Sequence, residues 1–318
     1  MARLLITNGD HAATALAAHF PDAEILIWRD VLVEGPVPGG IDGEALADIR
    51  ARHIEQSFGM HNVRDNFTRR NEAFARISDH DNVELWLETD LHDQLQLIEL
   101  LARFAKEKPA VSPRFVFSPP PISSHIDRIA ESLQPVQHSH IETAIRMWTA
   151  FREPSPEALH ALATGGGALP EARAAFLRLL EEYPSPHDGL GRIERHALLA
   201  IRDSAITPGL AFRHYQQTEE LPFLGDLGFF HRMECLAAGA VPLLQGLPAE
   251  GIAQTARSNR TVEYTETLLE LTDAGNAVLE GKADHVMLNG IDRWIGGVHL
   301  TSDNVWRYDP ENAALSRG

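Results

Sequence analysis

The first half of the chain alternates short apolar runs with segments whose apolar residues recur at helical spacing. Four of the runs predict strands, at residues 4–6, 25–28, 83–87 and 115–117. Strands that alternate with amphipathic helices are typical of βαβ units, which build a mostly parallel sheet with helices on its faces. The pattern therefore predicts an α/β, Rossmann-like domain over residues 1–152.

Helical segments separate these predicted strands. Asp90 is placed to cap a helix in which Leu91, Leu95 and Ile98 form one apolar stripe. The long segment 41–80, between the second and third strands, is also predicted to be helical, and it carries six arginines.

The second half predicts a helical connector over residues 153–189 and a winged-helix-like α+β domain over residues 190–318. Its predicted elements are, in chain order, helices at 192–202, from 207 onward and at 226–238, strands at 243–244 and 261–271, a helix at 272–279, and a hairpin at 291–308 turned at 302–304. Three helices followed by a β-hairpin is the order of a winged helix.

The charge of the chain argues against broad nucleic-acid binding. It has 28 Lys and Arg against 45 Asp and Glu, a formal net charge of −17. Nucleic acids and anionic membranes attract stripes of basic residues instead. The third predicted helix of the winged-helix-like domain carries one arginine, Arg232, so this domain is expected to pack or dimerise rather than to bind DNA. We expect a homodimer.

Cysteine usage and apolar run length indicate the compartment. The single cysteine, Cys235, excludes an internal disulfide and a thiolate-rich metal site, and its apolar surroundings predict a buried side chain. The first residues lack the pattern of a signal peptide, and no apolar run approaches about 18 residues. These features predict a bacterial-type cytoplasmic protein that does not enter the membrane.

Polar side chains follow all four predicted strands. They are Asn8, Asp10 and His11 after the first strand, Arg29, Asp30 and Glu34 after the second, Glu88, Asp90, His92 and Asp93 after the third, and Ser118 after the fourth. Gly9, in the first of these loops, would let a ligand approach closely. Ligands of parallel sheets bind at this carboxyl edge. We expect Asp10, Asp30 and Asp93 to be catalytic. The residues expected to bind the ligand at this edge are Asn8, Gly9, His11, Arg29, Glu34, Gly35 and His92.

Asp10 and Asp30 end consecutive strands, so the topology predicts that they lie within a few ångströms of each other. Such a pair could share a divalent cation or divide acid and base roles, with Arg29 as counter-charge. The alternative is that Asp10 and Asp90 only cap helices. The sequence leaves the use of a metal open and indicates no particular cofactor.

The arginines of segment 41–80 form a second candidate site. Arg69 and Arg76 lie seven residues apart on one helical face, where guanidinium groups suit a phosphate or a carboxylate. The alternative is a solvated face whose arginines pair with neighbouring acids.

Several motifs with known chemistry do not occur. The chain has no G-x-G-x-x-G after the first strand, no Walker loop, no G-x-S-x-G and no H-E-x-x-H. Dinucleotide dehydrogenases, P-loop NTPases, α/β-hydrolases and zincins are disfavoured accordingly.

Three segments, ITNGDHAATAL, ILIWRDVLVEGPVP and LWLETDLHDQLQLIELLARF, carry a family resemblance. With further stretches up to LTDAGNAVLEGKADHVMLNGIDRWIGGVHL, the chain resembles the bacterial family "domain of unknown function 1835" over nearly its whole length. The resemblance implies no particular reaction. Its polar signature maps onto Gly9, Asp10, Arg29, Asp30, Glu34, Gly35, Asp93, Gln94 and Gln96. Gln94 and Gln96 come from the resemblance alone, and Gln94 joins the residues expected to bind the ligand.

These observations favour an enzyme, a hydrolase or transferase, that acts on a small anionic, phosphorylated or nucleotide-like ligand at the carboxyl edge. The alternative is a ligand-sensing regulator or a protein-interaction adaptor that uses the winged-helix-like domain.

Overall fold

Strands and helices alternate through the first half of the chain, as the hydrophobic pattern predicts. The computed structural model describes residues 2–124, 126–204 and 206–318. Its strands are β1 (Arg3–Thr7), β2 (Glu24–Ile27), β3 (Gly35–Pro36), β4 (Asn82–Glu88), β5 (Arg114–Ser118), β6 (Gln134–Pro135), β7 (Leu244–Gln245), β8 (Glu270–Leu271), β9 (Arg293–Gly296), β10 (Val298–Leu300), β11 (Trp306–Asp309) and β12 (Ala314–Arg317).

Helices occupy most of the remaining chain. They are α1 (Asp10–His19), α2 (Gly43–Phe58), α3 (Val63–Ala75), α4 (Leu91–Glu107), α5 (Ile126–Ala130), α6 (His138–Phe151), α7 (Glu157–Thr164), α8 (Pro170–Leu180), α9 (Arg192–Arg202), α10 (Pro208–Thr218), α11 (Asp226–Ala238), α12 (Gly251–Arg257), α13 (Thr261–Thr265), α14 (Asp273–Leu279) and α15 (His285–Asn289). Short 3₁₀ turns lie at Ile77–Asp79 and Ile122–Ser124. None of the described helices has both the length and the apolar composition needed to cross a lipid bilayer.

The described residues divide into two compact units. The first unit contains the chain up to Val33, Val37–Ala51 and Asn62–Leu177, and the second contains Glu34–Pro36, Arg52–His61 and Arg178–Gly318. Sequence patterning predicts boundaries at 152 and 190, and the change from the first to the second unit after Leu177 lies between them, within the predicted connector. Helix α7 packs on α6 and belongs to the first unit.

The first unit contains a five-stranded sheet in the order β2-β1-β4-β5-β6. The first four strands are parallel, with Leu5 opposite Ile25 on one side and opposite Glu84 on the other, and only β6 is antiparallel. Leu4, Leu5 and Ile6 are almost completely buried, as expected for a strand inside a sheet covered on both faces. The predicted α/β architecture with a mostly parallel sheet is confirmed.

Helices cover this sheet because their apolar residues pack against the apolar residues of its strands. Leu5, Trp86 and Val116 pack with Leu16 of α1 and Ile129 of α5 in one buried cluster. Helix α4 follows β4 and packs against it, and most of its residues from Leu91 to Leu101 are buried. The ends of β1, β2 and β4, with the starts of α1 and α4, therefore meet at one edge of the sheet.

The second unit contains the three predicted helices, α9, α10 and α11, which pack against one another. The hairpin expected after them is much reduced: β7 and β8 pair over two residues each, and α12 and α13 lie between them in the chain. A winged-helix-like domain is therefore not confirmed.

The strand predicted at 261–271 is wrong over its first part, which forms α13. Tyr264 is fully buried, but Val262 and Leu268 are 65% and 68% exposed. The alternating letters thus present no continuous apolar face that a partner strand could cover.

The hairpin predicted at 291–308 is instead divided between two antiparallel pairs, β9 with β10 and β11 with β12. The predicted turn at 302–304 exists, and a single bridge between Thr301 and Asn304 closes it.

Candidate functional site

Three carboxyl groups gather where β4 ends and α4 begins. Glu88 is the last residue of β4, Asp90 is the N-cap of α4, and Asp93 lies in its first turn. One oxygen from each of these side chains lies within 4.8 Å of the others. We call Glu88, Asp90 and Asp93 the carboxyl cluster. The predicted capping role of Asp90 is correct, since its Oδ1 accepts a hydrogen bond of 3.1 Å from the Asp93 amide.

Local hydrogen bonds fix the orientation of the carboxyl cluster. Asp93 accepts from the Nδ2 of Asn8, the residue directly after β1, and from the backbone amide of Glu88 at 2.5 Å. Glu88 accepts from the backbone amide of Ile122 at 2.6 Å. The ends of two adjacent strands thus hold one group of acids in place.

Burial makes these acids weak. Asp90 and Asp93 are 3% and 1% exposed. Loss of solvent, and then the neighbouring carboxyls, raise the pKa of Asp90 to about 7 and hold the pKa of Asp93 well above its usual value. Loss of solvent also raises the pKa of Glu88, although the Ile122 amide opposes this shift. Across the described residues, no Lys, Arg or His side chain forms an ion pair with the cluster.

Gln94 adds an oxygen that has no partner. Its Nε2 donates to the backbone oxygen of Glu88 at 2.7 Å, which places the amide group beside the carboxyl cluster. Its side chain is 1% exposed, and its Oε1 has no hydrogen-bond partner in the described part of the chain. Carboxylate and amide oxygens are the ligands that hard divalent cations prefer. These residues have the donor set for such a cation.

Asp10 and Asp30 have different environments. Asp10 is exposed and pairs with Arg29, the counter-charge expected for this edge. Asp30 is 5% exposed, and its Oδ1 accepts from Arg50 Nε and Nη2 at 3.0 and 2.8 Å. The strands before them are adjacent, as predicted, but each carboxylate is bound by its own arginine.

The residues around Asp10 form an open part of the edge. Gly9 has a φ of +38°, which favours glycine, and a Cβ there would meet nothing within 4 Å. His11 is exposed, with its Nε2 3.4 Å from Ser123 Oγ. This surface leaves room for a ligand to approach the backbone.

His92 and Gln96 lie on the first turns of α4. Gln96 Nε2 donates to the backbone oxygen of Asp30 at 3.1 Å and lies 3.1 Å from His92 Nε2. Burial lowers the pKa of His92 to about 4, so the ring is neutral and its Nε2 accepts from the amide. The resemblance identified Gln96, and its contacts show a role in joining β2 to α4.

Glu34 and Gly35 belong to the second unit, unlike the other candidate residues. Glu34 is buried and pairs with Arg232 at 2.8 Å. Gly35 has a φ of +75°, and a Cβ there would lie 2.1 Å from the His53 ring. Both residues therefore have roles in the packing of the second unit, where they line a cavity of about 720 Å³.

Cys235 lines the same cavity and is exposed, so the prediction of a buried cysteine is wrong. Its Sγ lies 4.0 Å from Nε2 of His231, one turn earlier on α11. The buried apolar residues near it in the sequence, Phe229, Phe230 and Met233, lie on the opposite side of α11.

Of the arginines in segment 41–80, the structure buries Arg50 and Arg70 and leaves Arg69 on the surface. Helical spacing alone selected Arg69 because the sequence does not show which side of α3 faces the sheet.

A scan against protein-family models finds no match to the chain, and a search of curated proteins finds no significant match.

Proposed function

We propose that the carboxyl edge of the parallel sheet is the active site of a hydrolase or transferase that acts on a small phosphorylated or nucleotide-like substrate with a divalent cation. The observation that carries the proposal is the carboxyl cluster, three acids within 4.8 Å of one another beside the partnerless Gln94 oxygen. A divalent cation there would supply the positive charge that the described protein groups do not.

The same edge also suits an anionic substrate. Helices α1 and α4 both begin there, and the N-terminus of a helix favours phosphate through its free amides and its dipole. The open backbone at Gly9 gives a phosphate access to these amides.

Each residue would have a defined part in the reaction. Asp93 and Glu88 would hold the cation, and Asn8 would keep Asp93 oriented toward it. A cation bound there would polarise a phosphoryl oxygen or a water molecule. Arg29, which is partly exposed beside Asp10, would contact the substrate's charge.

The first test measures Mn²⁺ binding by calorimetry in wild type and in Asp93→Asn. Removal of one of two or three charged ligands is expected to weaken Mn²⁺ binding by about 100-fold, in line with about 2–3 kcal/mol for a lost charged contact. Asp22→Asn is the matched control, because Asp22 is an exposed acid just before β2, at the opposite edge. Equal Mn²⁺ affinity in all three proteins would disprove the cation site.

The second test is phosphate release from nucleoside mono- and triphosphates in the presence of Mg²⁺. Wild type is expected to release phosphate only with the cation, and Asp93→Asn is expected to lose this activity. Mn²⁺ binding without turnover of any phosphorylated compound would contradict the proposed enzymatic activity, and the site would then only bind a cation.

The alternative function is a ligand-sensing regulator or adaptor that acts through residues 190–318. The three helices α9, α10 and α11 are compatible with it, but the short β7–β8 pairing gives it less support than the carboxyl cluster gives the enzyme. Specific DNA binding that weakens steeply with salt would favour the regulator. The homodimer is likewise a proposal, and light scattering that returns a 35.2 kDa particle would refute it.

A further inference from the structure

A cavity of about 360 Å³ lies in the first unit, lined by residues from α2, α3, α4 and α6. This volume is in the range of sites for small molecules. The lining includes five cationic side chains, Arg50, Arg70, Arg103, Lys106 and Arg152. We call this site the arginine cavity.

Four of these five cations are paired with carboxylates of the same lining. The pairs are Arg50 with Asp30, Arg103 with Glu107, and both Lys106 and Arg152 with Asp42, at 2.8 to 3.0 Å. They therefore leave little positive charge for a ligand.

Arg70 is the exception. Its side chain is buried, with 7% exposure for the residue, and it forms no ion pair with any described residue. Its Nη1 donates to the backbone oxygen of Arg29 at 3.2 Å, while its Nε has no hydrogen-bond partner in the described parts of the chain. The guanidinium lies 4.2 Å from the Trp28 ring centroid and 4.4 Å from that of Phe67.

Two acids lie near Arg70, and neither forms an ion pair with it. Asp30 is paired with Arg50, whereas Glu99 accepts a hydrogen bond of 2.8 Å from the neutral Trp28 Nε1, which leaves its charge in place. Loss of solvent lowers the pKa of Arg70, and the attraction of Glu99 and Asp30 opposes this shift without reversing it. A buried charge without a partner is costly, so a counter-ion from outside the chain would stabilise it.

We propose that the arginine cavity binds a small molecule through a carboxylate or phosphate group that pairs with Arg70. A guanidinium held between aromatic rings presents its N–H groups in one plane, which suits the two oxygens of such an anion. Asn71, at the same wall, accepts at its Oδ1 from Arg103 Nη1 at 2.9 Å and from Arg70 Nη2 at 3.5 Å, and so helps to hold the Arg70 guanidinium in place.

This site is separate from the carboxyl cluster. Asp93 and Glu99, which lines the arginine cavity, are six residues apart on α4, which corresponds to about 9 Å along the helix axis. The inference therefore does not depend on the proposed function, and the two can fail independently.

The experiment measures the affinity of inorganic phosphate and, separately, of acetate at constant ionic strength by calorimetry. Arg70→Gln is expected to weaken binding of the preferred anion by about 10- to 100-fold, the value of a hydrogen bond to a charged group. Arg146→Gln is the matched control, because Arg146 is an exposed arginine of α6 outside the cavity lining. Comparison of the two anions distinguishes a phosphate ligand from a carboxylate ligand.

Four outcomes decide the proposal. Loss of binding in Arg70→Gln, with partial recovery in Arg70→Lys and full binding in Arg146→Gln and Asp93→Asn, supports it. Equal affinity of wild type and a folded Arg70→Gln overturns it, as does failure of wild type to bind either anion. If Arg70→Gln does not fold, a folded Arg70→Lys with wild-type affinity for both anions overturns it, because a lysine cannot reproduce the planar pair of donors.

Discussion

The carboxyl cluster and the arginine cavity are two places in the first unit where buried ionisable groups lack an ion-pair partner. In the cluster, Asp90 and Asp93 face other acids, burial raises the pKa of both, and the described residues provide no cation to pair with them. In the cavity, Arg70 lies among aromatic rings, and no carboxylate of the described residues forms an ion pair with it. The carboxyl cluster is therefore expected to bind a cation, and the arginine cavity is expected to bind an anion.

The buried ion pair of Arg50 and Asp30 contrasts with both sites because its charges are balanced. Arg50 and Asp30, 1% and 5% exposed, pair at 2.8 Å and neutralise each other. The protein thus provides a counter-charge where burial serves only packing. Its omission at the other two places is the physical reason to look for ligands there.

The largest expected effect distinguishes Arg50 from Arg70. Arg50→Met leaves Asp30 buried without its cation and is expected to lower the free energy of unfolding by about 3–5 kcal/mol. Arg70→Met breaks no direct ion pair and is expected to cost only about 1–2 kcal/mol, from its lost contacts with two aromatic rings. Urea denaturation measures both.

A double variant provides the control. Asp30→Asn combined with Arg50→Met is expected to recover part of the lost stability, because no buried charge then remains. Equal costs for Arg50→Met and Arg70→Met would mean that Arg70 has a carboxylate partner after all, and the comparison would fail.

The next effect concerns pH. The pKa of Asp90 rises from 3.8 to about 7 on folding, so the folded protein holds a proton that the unfolded chain releases. In metal-free buffer the contribution of Asp90 to stability should therefore be complete below about pH 4, fall as the pH rises toward 7, and then level off, with a total change of at most about 4 kcal/mol. Melting temperatures measured between pH 4 and 8 test this.

Asp90→Asn should flatten that decline, because asparagine stays neutral and caps a helix about as well as aspartate. Asp22→Asn, at an exposed position, should keep the wild-type profile. Parallel profiles for wild type and Asp90→Asn would show that Asp90 is ionised in the folded protein, and the carboxyl cluster would then need no added cation.

The sequence predicts the first half of the fold well and the second half less well. Each strand of the parallel sheet is a short apolar run bounded by turn residues, so local letters are enough to find it. The segment 261–271 has alternating letters, but whether Val262 meets a partner strand depends on tertiary packing, and it does not. Short strands such as β7 and β8 are set by that packing and have almost no local signal.

For the candidate site, topology predicts the edge but not the partners. That Asn8 and Asp93 lie at the same edge follows from the parallel direction of β1 and β4, which the alternation of strands and helices predicts. Their direct contact depends on β1 and β4 being neighbours, which that alternation does not predict. That Arg50 rather than Arg29 neutralises Asp30 depends on how α2 packs, which no local pattern encodes. The same holds for Arg70: its burial depends on which side of α3 faces Trp28 and Phe67.

The smallest expected effect concerns Asp10, which the sequence places in the catalytic set. Its carboxylate is exposed and pairs with Arg29, itself partly exposed, so Asp10→Asn is expected to change the free energy of unfolding by less than about 0.5 kcal/mol. The Mn²⁺ affinity of the Asp10→Asn variant should differ from that of wild type by less than about threefold. Asp10 is outside the carboxyl cluster, and exposed charges interact weakly through water. Calorimetry and urea denaturation check the two values. A loss of Mn²⁺ affinity as large as that of Asp93→Asn would extend the cation site across β1 to Asp10, as the sequence predicts, and the carboxyl cluster alone would no longer define it.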